Sequence, residues 1–191
     1  QALQYLNIKN SNSKIKLGTL GTSQTQTEAF AYIGSGVSTG CEVIIKDTEF
    51  VNVRTSATVI SDMFSNVRFK DTSNLSGLSF SGLAFDYGLL FQYAHVPQDN
   101  SFLNISNWSF NHTNEWSSPS LFFRFNNDAA SGVNTDIDTT GWDFGKVTGL
   151  RQWFYYCNIR TIRGLSTWTR DNSVLFTSLY RAFSRWFNAK I

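Results

Sequence analysis

The chain has 191 residues, of which 41% are hydrophobic, 16% aromatic and only 16% charged, with a net charge of +2. So many rings and so few charges exclude a disordered chain, which shows the opposite balance, and so small a net charge excludes the concentrated basic face that phosphate neutralisation needs. No apolar run approaches the ~18 residues of a membrane span, and no charged segment followed by an apolar one marks a secretory signal at the start.

Six short apolar segments read as strands: Tyr5–Lys9, Val43–Lys46, Val67–Lys70, Phe102–Ser106, Asp136–Asp138 and Thr161–Arg163. Taken on Ile8, Ile45, Phe69, Ile105, Ile137 and Ile162, they recur at intervals of roughly 30 residues, the range in which a period decides the fold. A phenylalanine follows each strand in phase: Phe30, Phe64, Phe91, Phe123, Phe154 and Phe183. Between strand and phenylalanine stands another bulky ring, Phe50 and Phe80 in the second and third segments and Trp108, Trp142 and Trp168 in the last three. The approach to each phenylalanine spaces apolar residues at three and four, as in Val59, Met63 and Phe64, or Val147, Leu150 and Phe154. Val174 or Leu175, then Leu179 and Phe183, repeat the pattern. This predicts a short helical turn with one apolar face.

A single domain over 1–191 follows, built of about six degenerate units with approximate bounds 4–40, 41–65, 66–100, 101–133, 134–159 and 160–191. No unit buries both its strand residue and its phenylalanine alone, whereas stacked units do, which predicts a repeat solenoid of short parallel β-strands with short helical or irregular return segments. In such a stack Cys41 and Cys157 lie several coils apart, beyond disulfide reach, and are expected as two buried free thiols.

The stretch from Asp138 to Asn158 resembles the repeat of the BspA-like leucine-rich-repeat surface proteins. That repeat runs from a strand to a Trp or Phe with Asp, then Val-x-x-Met/Leu-x-x-Met-Phe, then a small polar tail. Trp142, Asp143, Val147, Leu150, Trp153, Phe154, Cys157 and Asn158 fall on those positions. The segment from Trp168 matches with Val174, Leu175, Leu179 and Phe183, and an earlier one with Asp47, Phe50, Val59, Met63 and Phe64. The resemblance implies a leucine-rich-repeat-like solenoid on a cell or particle surface, in a family associated with adhesion and with host or matrix binding.

Candidate chemistry is sparse. His95 and His112 lack metal-ligand spacing. The glycine pairs Gly18–Gly21 and Gly34–Gly36 lack the Lys of a phosphate loop and read as turns. Asp136, Asp138 and Asp143 cluster as a glycosidase pair would, but Asp recurs at turn positions, which favours backbone capping. Of six tryptophans, three occupy one repeat position and read as core; Trp116 and Trp186 fit the repeat least and are the candidate contact residues. Asn-x-Ser/Thr sites stand at Asn74, Asn104, Asn107 and Asn111.

The expected function is a non-catalytic extracellular adhesion or recognition module at a cell or virion surface. Its partners are a protein or glycan on a host or neighbouring cell, or sister subunits, with no cofactor, no metal, no nucleic acid and no membrane span. A structural part in a virion, phage tail or filament is the alternative, and a glycan-acting hydrolase the third. With Gln1 at the start and Trp186 just inside the end, the chain is expected to be part of something longer or covered by a neighbour, because a repeat array needs polar caps.

Overall fold

The computed structural model describes residues 14–17, 40, 42–52, 58–59, 62–82, 85–86, 88–96, 101–112, 116–117, 120–126 and 135–184. One principal sheet joins β1 (Lys14–Leu17), β2 (Glu49–Asn52), β4 (Ser79–Gly82) and β7 (Ser109–His112) in that order. The other joins β6 (Ser101–Asn104), β9 (Thr135–Asp138) and β11 (Thr161–Arg163), with β9 in the middle. Two further ladders pair β3 (Thr58–Val59) with β5 (Phe85–Asp86) and β8 (Trp116–Ser117) with β10 (Val147–Gly149). Every pairing is parallel. Single bridges lengthen both principal ladders: Ile44 to Asn74 to Asn104 on one side, Ser109 to Asp143 to Thr169 on the other.

Parallel register sets like residues one strand spacing apart, about 4.8 Å. Three interior columns of rings result. Phe50, Phe80, Phe110 and Phe144 form one, Trp108, Trp142 and Trp168 a second, and Phe64, Phe91, Phe122, Phe154 and Phe183 a third. Centroids within the columns lie 4.7–5.7 Å apart with planes nearly parallel, the offset stacking that ring quadrupoles favour. All but the last members of the second and third columns are buried. Each indole N–H is also satisfied: Trp108 donates to the Leu75 carbonyl and Trp142 to that of Ile105, both at 2.6 Å, and Trp168 to that of Thr139 at 3.2 Å. A buried N–H without such an acceptor costs about 1–3 kcal/mol.

The leucine-rich-repeat-like solenoid of strands and helical returns is not what forms. The chain is a small parallel β structure of two principal open sheets, none curled or closed, and the helical content of the described residues is one 3-10 turn, Leu165–Thr167. Among those residues no helix is long and apolar enough to cross a membrane.

The physical reason lies in the backbone at the return segments. Asp62, Leu89, Ser120, Gln152 and Arg181, each two residues before a stacked phenylalanine, have φ between 52° and 66°. Asn66, Tyr93, Arg124 and Tyr156, each two residues after one, have φ between 55° and 59°. Left-handed residues at both flanks are incompatible with a right-handed helix and cost roughly 1–2 kcal/mol each. The compensation is complete backbone pairing. Ser65 N–H donates to Asp62 and Val67 N–H to Phe64 within the segment, while Phe64 and Asn66 donate across to Leu90 and Gln92 of the next. The same alternation holds at Phe122 to Phe125, where odd-numbered donors bond locally and even-numbered ones reach Trp153 and Tyr155. Tandem turns therefore bury Met63, Phe64, Leu150, Phe154 and Val174, residues whose spacing predicts a helix face. Leu175 and Leu179 depart from that set altogether, at 76% and 58% exposed.

Three register details also differ from expectation. The ring in the third column is Phe122, while Phe123 lies outward against Tyr155 and Tyr156. Asn74, a polar residue, takes the ladder place expected near Phe69, whose ring packs between Phe64 and Phe91 instead. Trp108, Trp142 and Trp168 do not share a column with Phe50 and Phe80; that column continues through Phe110 and Phe144. Phe30 lies outside the described residues.

Candidate functional site: an arginine–aromatic turn edge

The tandem turns turn alternate side chains outward. Phe91, Phe122 and Phe154 enter the core, while Tyr93, Phe123, Arg124 and Tyr156 keep contact with solvent and Tyr155 is buried beside them. Parallel stacking then lines up Tyr93, Arg124 and Tyr156 along one row and Phe123 and Tyr155 along the next. The Arg124 guanidinium carbon sits 5.4 Å from the Tyr93 ring centre, 5.1 Å from Phe123 and 5.8 Å from Tyr156. Its Nη1 donates to the Tyr93 hydroxyl at 2.6 Å, and its Nε is buried without a hydrogen-bond partner.

The network continues toward the last described segment. Phe123 stacks on Tyr155 at 5.9 Å, and Tyr155 meets Tyr156 edge-on at 4.4 Å. Arg181 lies over Tyr155 at 5.8 Å and over Tyr180 at 5.1 Å, and Arg151 lies over Tyr180 at 5.6 Å. Arg151, Tyr180 and Arg181 are exposed, as is Tyr93. Among the described residues no carboxylate pairs with Arg124, Arg151 or Arg181. The segments 88–93, 120–126, 151–156 and 180–184 carry those three arginines and no Asp or Glu. A guanidinium held against ring faces is already restricted in its rotamers, so it loses little further entropy on binding.

The aspartates picked out in the sequence do not converge on one cleft. Asp138 Oδ1 accepts the Thr140 backbone N–H and Asp143 Oδ1 that of Gly145. Asn74 and Asn104, two of the candidate glycosylation positions, cap Ser76 and Ser106 in the same way. Asp136 instead accepts from Arg160 Nε and Arg163 Nη2, both at 2.7 Å. The Arg160 hydrogen bond holds its carboxyl below the ordinary value; burial opposes this and Arg163 adds to it. Hydrogen bonds from Ser173, hydroxyl and backbone, likewise lower Asp171.

His95 lies in a bridge with Arg68, its Nδ1 3.3 Å from the Tyr93 carbonyl oxygen. Among the described residues no three metal-ligating side chains come together. Cys157 is a free buried thiol hydrogen-bonded to the Phe122 carbonyl, and burial pushes its pKa far up. Cys41, Trp186 and the glycine pairs at 18–21 and 34–36 lie outside the described residues. Trp116 opens β8, with its backbone paired to Val147.

Sequence reasoning passes over Tyr93, Arg124, Tyr155, Tyr156 and Tyr180, and reads Arg151 and Arg181 as part of a solvated rim. A signal was present: residues two after each phenylalanine form a series of their own, Asn66, Tyr93, Arg124 and Tyr156, which reads as a second, outward period once Phe122 is placed in the column. Comparison with known proteins finds no matching family model, no similar curated protein and no similar solved structure.

Proposed function

We propose that this chain is a non-catalytic recognition module that works outside the cell and binds protein or glycan through the arginine–aromatic edge. One observation carries the reading: Tyr93, Phe123, Arg124, Tyr155, Tyr156, Tyr180, Arg181 and Arg151 form one connected surface network. Tyr and Arg are the residues over-represented at binding hot spots, where rigid rings and forked donors give contact at low entropic cost. A purely architectural edge gains little from three guanidinia that pair with no carboxylate among the described residues.

The test is a glycan and extracellular-protein array probed with the full chain and with an Arg124→Ala/Arg181→Ala variant whose circular dichroism matches the parent. Binding to at least one ligand class, lost in the variant, supports the proposal. Equal binding by both proteins, or none by either, defeats it.

A structural role in a virion or filament is the second reading. It is favoured by the apolar surface of the last described segment. Leu175, Leu179, Tyr180 and Phe183 are exposed there, and a cavity of about 290 Å³ opens between Phe144, Leu150, Trp168, Phe176, Leu179 and Phe183. Sedimentation of the parent against Leu175→Ser/Leu179→Ser separates the readings: concentration-dependent assembly abolished by the pair of changes supports the structural role.

A further inference from the structure

We infer that the turn edge binds a linear anionic polysaccharide, through sulfate or carboxylate groups received by Arg124, Arg151 and Arg181. The inference rests on the edge being a binding surface and goes on to name what it binds. Its first ground is charge. The four return segments facing this edge contribute three guanidinia and no acid, whereas Asp136 is already paired by Arg160 and Arg163 elsewhere. Among the described residues, an anion docking there meets no carboxylate that it must displace.

The second ground is which part of each ring remains available. Tyr93 has Arg124 over its face, Phe123 and Tyr155 cover each other, and Tyr180 is covered by Arg151 and Arg181. Each of these rings thus has a neighbour on at least one of the faces that would stack a nucleobase or pyranose ring. The exposed residues Tyr93, Arg151, Tyr180 and Arg181 carry guanidinium N–H and phenol hydroxyl, donors whose geometry suits sulfate and carboxylate oxygens. That favours a ligand read by its anionic groups and hydroxyls over a single-stranded nucleic acid read by its bases.

The third ground is spacing. Arg124, Arg151 and Arg181 belong to three successive stacked segments, one strand spacing of about 4.8 Å per step, with Arg124 two residues after Phe122 and Arg181 two residues before Phe183 on the other flank of the ring column. Arg151, three residues before Phe154, shares the Arg181 flank and lies over the same Tyr180 ring that Arg181 covers. One cation on each of three successive segments matches a polymer carrying several anionic groups better than a single small anion, because each added contact is intramolecular once the first has formed.

The experiment titrates the full chain with dextran sulfate, polygalacturonate, neutral dextran, polyglutamate and a single-stranded oligonucleotide, each at low and moderate salt. The expected result is saturable binding of dextran sulfate or polygalacturonate, weakened by added salt as released counterions require. Neutral dextran should not bind. The Arg124→Gln/Arg151→Gln/Arg181→Gln variant should lose affinity by about tenfold or more, whereas Lys46→Gln/Lys70→Gln/Lys146→Gln, with the same change in net charge, should lose less than about threefold. The sulfated and carboxylated polymers tell which anionic group is preferred. Equal losses in the two triple variants would mean net charge alone, and overturn the inference. So would polyglutamate or the oligonucleotide binding as tightly as the polysaccharides. If the array finds a neutral glycan or a protein bound through Arg124 and Arg181 while no polyanion binds, the recognition role stands and this inference fails.

Discussion

The interior ring columns and the turn edge use the same residue types at the same spacing to opposite ends. Inside, Trp108, Trp142 and the phenylalanines stack on one another, give each indole N–H an acceptor and exclude water. At the edge, Tyr93, Tyr156 and Tyr180 are interleaved with Arg124, Arg151 and Arg181 and stay in contact with solvent. A ring column stabilises in proportion to the area it buries, so the interior holds the chain folded. A ring that shares its face with a guanidinium contributes only about 0.5–1 kcal/mol at an exposed site. Stability resides in one set of aromatics, and accessible chemistry in the other.

The sharpest way to break this contrast is to truncate one ring on each side. Trp142→Ala removes a buried ring stacked between Trp108 and Trp168 and should cost about 3–5 kcal/mol in urea unfolding. It also strands the Ile105 carbonyl. Tyr180→Ala should cost less than about 1 kcal/mol. Comparable losses for the two would show that the division of labour is wrong.

A smaller effect tests whether backbone geometry carries the ladders. Asp47, Gly77, Asn107 and Gly141 are successive left-handed residues, φ 49°, 70°, 57° and 72°. A Cβ on Gly77 would collide with the Asp47 side chain, and one on Gly141 with that of Asn107. Gly77→Ala should therefore lose about 1–3 kcal/mol, part of it restored when Asp47→Ala is added, as read from the urea midpoints.

Next in size is the ion pair that Asp136 makes with Arg160 and Arg163. Asp136 has a lowered pKa in the folded state, so its contribution is fully present above the ordinary carboxylate value of about 3.9. It is lost as pH falls from there through the lowered folded value. Thermal melts between neutral pH and the acid limb should show that loss, and Asp136→Asn should flatten it, at a neutral-pH cost of roughly 1 kcal/mol because both arginines are partly solvated. An acid limb unchanged in Asp136→Asn would assign it to other carboxylates. Smallest of all, Arg124→Ala should change stability by under about 1 kcal/mol; a larger loss by calorimetry would make the edge a structural feature.

Much of the interior was legible from residue order. Phe64, Phe91, Phe154 and Phe183 share one column, and Trp108, Trp142 and Trp168 share another, because a period in bulky rings survives drift in everything between them. The assignment of Phe123 went one residue astray because Phe122 and Phe123 are both large and apolar; only the left-handed turn at Ser120 and Arg124 decides which enters. Asn74 was invisible as a ladder residue because its place rests on backbone bonds and its own cap to Ser76, not on burial of an apolar side chain. The edge was missed for a related reason. Tyr93, Arg124 and Tyr156 are far apart in the chain and carry no motif.

Residue order by itself determined that the chain orders around recurring rings and that its chemistry is poor in titratable clusters. Those follow from composition and period, which every compact arrangement of this chain must accommodate. The tertiary structure alone decided that the return segments are tandem turns and not helices. An apolar spacing of three and four fits both, and the choice falls to backbone N–H groups that reach Leu90, Gln92, Trp153 and Tyr155 of the neighbouring segment. That same choice turns alternate residues outward, and so creates the arginine–aromatic edge.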